Sequence, residues 1–152
     1  MSSFRPELTP EVFDGRSAGH LPGLVGLQIL TMTPQGVDSR LEVRRELMAP
    51  NGFLHAATVI ALADTSCGYG CVALLPQGAS GFTTLELKAN FLGTTREGAI
   101  ACRATPVHLC RTVGRGGDHR GHGQEDRPVP LHPDGPLAQV DRAGPAVLQS
   151  IP

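Results

Sequence analysis

The chain has 152 residues, 40% hydrophobic and 18% charged, with a formal net charge of −1. That length and composition fit one folded domain, and the near-zero charge excludes the electrostatic footprint of a nucleic-acid or anionic-membrane binder. The four cysteines, Cys67, Cys71, Cys102 and Cys110, form no C-x-x-C pair. They read as reduced, partly buried thiols of a cytoplasmic protein. The start, MSSFRPELTPEVFDGR, carries no apolar run of the kind a secretion signal needs.

Thr9-Pro10-Glu11 combines an N-cap residue, a proline at the first helical position and a first-turn acid, which predicts a short helix near 10–16. GLVGLQILTMT predicts a strand, and PQG at 34–36 a turn. VDSRLEVRR alternates, with Val37, Leu41 and Val43 on one face and Asp38, Arg40, Glu42 and Arg44 on the other. It should complete a hairpin as a half-exposed strand.

After the Pro50-Asn51-Gly52 break, residues 54–75 are apolar on all sides, predicting a buried helix near 55–74. Its length also raises a membrane span, but Asp64 near its middle and the lack of cationic flanks argue against that. GFTTLELKANFL (81–92) alternates again: Thr83, Leu85, Leu87, Ala89 and Phe91 share one face, and Thr84, Glu86, Lys88 and Asn90 the other. GAIACRATPVHL (98–109) should follow as a strand paired to it through the GTTREG turn. The order predicts an α+β protein, an antiparallel sheet wrapped on one long central helix.

Asp64 is the only acid between Leu47 and Leu85. A carboxylate on a core helix is costly unless paired or wetted, and no cation lies within a helical turn. Such an acid suits general-base or nucleophilic work in an apolar cleft; the plainer reading is a structural Asp bonded to a neighbouring loop. The helix start offers a complement, because its free N–H groups near His55, Ala56 and Ala57 can hold a developing oxyanion. Ala56 and Asp64 lie about 12 Å apart along a helix axis, too far to serve one carbonyl carbon. If both act together, two antiparallel copies must share each site.

NGFLHAATVIALADTSCGYGC (51–71) resembles the signature of hotdog-fold acyl-CoA thioesterases of the phenylacetate-degradation and 4-hydroxybenzoyl-CoA thioesterase type. Gly52-Phe53-Leu54-His55 and Leu62-Ala63-Asp64 match that pattern, and the likeness covers about residues 5–113. It implies hydrolysis of an acyl-CoA thioester without a cofactor, by a homodimer or dimer of dimers. It implies Asp64 as the catalytic carboxylate, the Ala56 amide as the carbonyl-polarising donor, and His55 as the residue orienting the helix start. Thr83 would lie near the catalytic water and Asn51 would orient it, although the family's Asn or Gln falls at Ala49. Gly52, Phe53, Lys88 and Arg96 would meet the substrate, the two cations at the coenzyme A phosphates. Ala56-Ala57 replace two family glycines, which favours as the rival reading a hotdog module that binds acyl-CoA or an aromatic acid without turnover. His119 and His122 have tolerable metal spacing but no third ligand nearby, so no metal is expected.

From 114 to 152 the chain holds seven of its nineteen glycines, six of its thirteen prolines and no aromatic residue. This predicts an irregular tail after a domain ending near Val113, with the last strands missing. Leu131-His132-Pro133-Asp134-Gly135 can be encoded so that a one-base shift reads Cys-Thr-Gln-Met, which resembles the last strand of the family. That pattern predicts a slip of reading frame near 111–116, leaving an out-of-frame tail and an inactive remnant as a third reading.

Overall fold

In this computed structural model the described residues are 4–75, 79, 81–109, 113–117 and 144–151; the side chains of the last two segments and of 108–109 are outside the description. Cys110, His119 and His122 also lie outside it. Helix α1 runs Pro10–Ser17, with Pro10 and Glu11 in its first turn as expected. The Thr9 side chain makes no cap bond to the backbone. It bonds Glu11 instead and holds that carboxyl below the usual range. Helix α1 buries Phe13, which stacks on Tyr69 at 4.4 Å between ring centroids. Ser17 Oγ donates to the Phe13 carbonyl at 2.8 Å and shares a 2.7 Å hydrogen bond with Tyr69 Oη.

The stretch expected as one strand from residue 23 divides. Leu21–Val25 is a short helix, α2, and strand β1 starts at Leu27 and ends at Thr33. Gly26 sits between them at φ +77°, a left-handed cap that stops the helix and turns the chain. Arg44 donates to the Leu24 and Val25 carbonyls, which would otherwise end the helix unbonded. Strand β2, Gly36–Glu42, pairs antiparallel with β1 and buries Val37, Ser39 and Leu41. A register shift between Ile29 and Thr31 leaves Leu30 outside the ladder.

Helix α3, Ala56–Ala73, matches the expected core helix and packs on β2 and β4. By length and composition alone it is apolar enough to cross a membrane; here Val59 and Leu62 are buried in the core against the sheet. At the contact, Ser66 Oγ donates to the Leu62 carbonyl and accepts from Ser39 Oγ, each at 2.6 Å, so two buried hydroxyls satisfy one another. The N-terminal segment is tied to the far end of α3 by the Arg5 amide donating to the Ala73 carbonyl at 3.0 Å.

Strands β3 (Gly81–Lys88), β4 (Ala99–Leu109), β5 (Val113–Gly117) and β6 (Gly144–Ile151) complete a six-stranded antiparallel sheet in the order β1-β2-β4-β5-β6-β3. Two expectations are corrected. β3 and β4 do not form a hairpin, because the connection between them is pinned across α3's entry, with the Leu54 amide on the Thr95 carbonyl at 2.9 Å and the Val43 amide on the Gly98 carbonyl at 2.8 Å. That crossing delivers β4 to β2. The sheet also has strands after residue 112, where side-chain pattern predicts none. Ladder bonds use backbone groups, so β5 and β6 can fill the space between β4 and β3 without a period-two pattern.

Phe13 is 1% exposed, and Phe13→Ala should cost about 3–5 kcal/mol in urea unfolding. Tyr69→Phe should cost only about 1 kcal/mol, because Ser17 keeps its bond to the Phe13 carbonyl.

Candidate active site

The entry to α3 is a closed loop of short hydrogen bonds. The Ala49 amide donates to the Phe53 carbonyl at 2.7 Å, and the Gly52 amide to the Ala49 carbonyl at 2.9 Å. Gly52 takes φ +80°, a conformation that favours glycine. Asn51 Oδ1 accepts from the Phe53 amide at 3.2 Å, so its oxygen builds the turn. The His55 amide donates to the Leu47 carbonyl, as does Thr58 Oγ1, both at 3.0 Å.

His55 is the N-cap of α3, and its Nδ1 accepts from the Ala57 amide at 3.0 Å. Nδ1 is therefore unprotonated in this arrangement, and the neutral ring carries its proton on Nε2. The Thr58 amide is satisfied by the His55 carbonyl at 2.9 Å. Of the amides at positions 55 to 58, only that of Ala56 has no acceptor among the described residues, and Ala56 is exposed. One donor at the positive end of an eighteen-residue helix thus faces outward.

Asp64 lies two turns further along α3 and is half-buried. Thr84 Oγ1, reaching over from β3, donates to its Oδ1 at 3.0 Å. The family resemblance nominated Thr83 for this neighbourhood. Thr83 is on the other face of β3, with Leu85, which is 53% exposed. Period two groups alternate residues but does not say which group meets the helix, so alternation set Thr83 and Thr84 on opposite faces without aiming either. Cys71, on the same helix, is a poor nucleophile by comparison, since burial pushes its thiol up and keeps it protonated.

Arg96 places its guanidinium 4.0 Å from the Phe53 ring centroid, which joins two of the expected substrate residues beside Gly52. Lys88 ends β3, is exposed and makes no ion pair among the described residues. No group of three or more potential metal ligands converges among the described residues. The residues therefore fall into two clusters on one helix: the amide, His55, Asn51, Phe53 and Arg96 at its start, and Asp64 with Thr84 near its middle, about 12 Å further along the axis.

Residues 51–115 match the sequence pattern of the Thioesterase superfamily. The chain is 31% identical over 89 residues to the Bacillus subtilis (strain 168) protein named "Putative esterase ComA2", an alignment covering 59% of this chain and 71% of that one. It is 24% identical over 109 residues to the 1,4-dihydroxy-2-naphthoyl-CoA hydrolase of Escherichia coli (strain K12), covering 70% of this chain and 77% of the relative. In three dimensions it resembles the thioesterase HI1161 of Haemophilus influenzae, with a TM-score of 0.79 and 20% identity, over 99% of this chain and 95% of that one. A half-buried helix carboxylate, an outward amide at the start of the same helix and these likenesses converge: the chain belongs to the Thioesterase superfamily and is a thioester hydrolase with the hotdog fold.

Proposed function

We propose that the protein hydrolyses an acyl-CoA thioester to the free acid and coenzyme A, without a cofactor, at sites shared between two copies of the chain. The supporting observation is the separation on α3 of the acceptor-free Ala56 amide and the Thr84-held Asp64. One copy supplies Asp64 as base and the other supplies the Ala56 amide. Water attacks the thioester carbonyl carbon as Asp64 takes its proton, and the oxygen gains negative charge opposite the Ala56 N–H. When the intermediate collapses the C–S bond breaks and the thiolate leaves with the proton. Thr84 keeps one carboxylate oxygen occupied, so the other is aimed at the water. His55 holds the helix start in shape through its cap on Ala57, and Asn51 does so through the turn. Arg96, set over Phe53, and Lys88 are placed for the coenzyme A phosphates.

The homodimer, alone or within a dimer of dimers, is supported by the sheet. β3 is the last strand in the order, so one edge of it is open among the described residues, beside the exposed Leu85. The compartment proposed is the cytoplasm, in keeping with Cys67, Cys71 and Cys102 as thiols. No nucleic-acid or membrane partner is invoked.

Asp64→Asn should lower thiol release in a DTNB assay by about 10²–10⁴-fold with the oligomer intact; unchanged turnover would refute the role. Calorimetric binding of acyl-CoA by the unmodified chain, with no thiol release, would select the binding module instead. Thr84→Val should lower kcat by about 10- to 100-fold, the worth of a hydrogen bond to a charged group at about 1.5–3 kcal/mol. Thr84→Ser should restore most of it and Thr83→Val should leave it unchanged; equal losses in the two valine variants would return Thr83 to the site.

The superfamily match ends at residue 115, inside the 111–116 window of the frame slip read from sequence. That coincidence supports the out-of-frame tail. The source DNA decides it: family-like sequence in the shifted frame is expected, and a frame-restored chain should turn over faster than this one.

A further inference from the structure

We infer that Phe82, seated against Gly68, is the wall that limits the length of the acyl group this site accepts. The inference rests on the proposed acyl-CoA hydrolysis. Asp64 and Gly68 are four residues apart on α3 and therefore lie one above the other on the same helix face. Phe82 and Thr84 are two apart on β3 and share a strand face. The two faces meet twice. Thr84 holds Asp64 at 3.0 Å, and one turn further along the helix the Phe82 ring enters end-on over Gly68. A Cβ added at Gly68 would lie 2.7 Å from Phe82 Cζ, 3.2 Å from Cε2 and 3.7 Å from Cε1. The ring occupies the space that any other side chain at position 68 would take.

Gly68 is buried in a helix whose interior disfavours glycine by about 1 kcal/mol relative to alanine. The close approach of the ring gives the physical reason for glycine at this point. The seam between α3 and β3 thus carries the reacting carboxylate and, about 6 Å along the helix axis from it, an aromatic stop. Phe82 is half-buried, so its residue is not fully enclosed by the packing against Gly68. An acyl group attached to a carbonyl at Asp64 and running toward the C-terminal end of α3 meets this ring after a few carbons. The site should therefore favour short acyl groups over long ones.

The test is the ratio of kcat/KM for octanoyl-CoA to that for butanoyl-CoA, measured by thiol release for the full chain and its variants. Phe82→Ala should raise the ratio at least tenfold by opening the seam. Phe82→Leu should raise it less, and guards against a fold defect because it retains apolar volume. Gly68→Ala, which displaces the ring without removing it, should change the ratio while urea unfolding reports its stability. A fold defect lowers both substrates together and leaves the ratio alone, so an unchanged ratio in both Phe82 variants overturns the inference even when total activity falls. An unmodified chain that releases no thiol from either substrate would instead sink the acyl-CoA reading, and this inference with it.

Discussion

Helix α3 is apolar around its whole circumference, and an eighteen-residue helix of that kind cannot be left in water. The sheet exists in the form it does because it must cover that helix. Val37 and Leu41 of β2 and Ile100 of β4 are at most 3% exposed, and with Val59 and Leu62 of α3 they form one core. Phe13 closes the assembly from the N-terminal side by stacking on Tyr69. Where polar atoms had to enter this core they pair with one another, as Ser39, Ser66 and the Leu62 carbonyl do. Against this apolar helix its start and its single acid stand out: Ala56 is exposed and Asp64 half-buried.

The helix start shows how a local constraint becomes chemistry. Four N–H groups at a helix N-terminus lack helical partners. Here the Leu47 carbonyl takes that of His55, the His55 ring takes that of Ala57 and the His55 carbonyl takes that of Thr58. The one left over, on Ala56, has the positive end of the macrodipole behind it. Family glycines are replaced by Ala56 and Ala57, yet an amide donor needs no glycine, and the capped start keeps the donor in place. The same helix carries Asp64 about 12 Å further along its axis.

Much of this was legible in order along the chain. Pro10 and Glu11 marked α1, the apolar run marked α3 to within a residue at each end, and alternation marked β2 and the start of β3. What failed were statements about partners in space. Leu21–Val25 became a helix because Arg44, some twenty residues away, caps its end. β3 and β4 were separated because the chain between them is bonded to Leu54 and Val43. β5 and β6 joined the ladder through backbone groups, which leave no periodic mark in side chains.

By itself the sequence singled out the residues that could do chemistry: one acid on an apolar helix, a histidine at its start, and a spacing of about 12 Å along the helix axis between the acid and that start. Only the tertiary structure decided which threonine reaches the acid and which ring sits against Gly68. Both depend on which face of β3 meets α3. A period of two is symmetric between a strand's faces, so alternation could group Thr84 with Phe82's side or Thr83 with Leu85's, but not aim either. The aim comes from the packed helix, where Asp64 accepts one hydroxyl and Gly68 admits one ring.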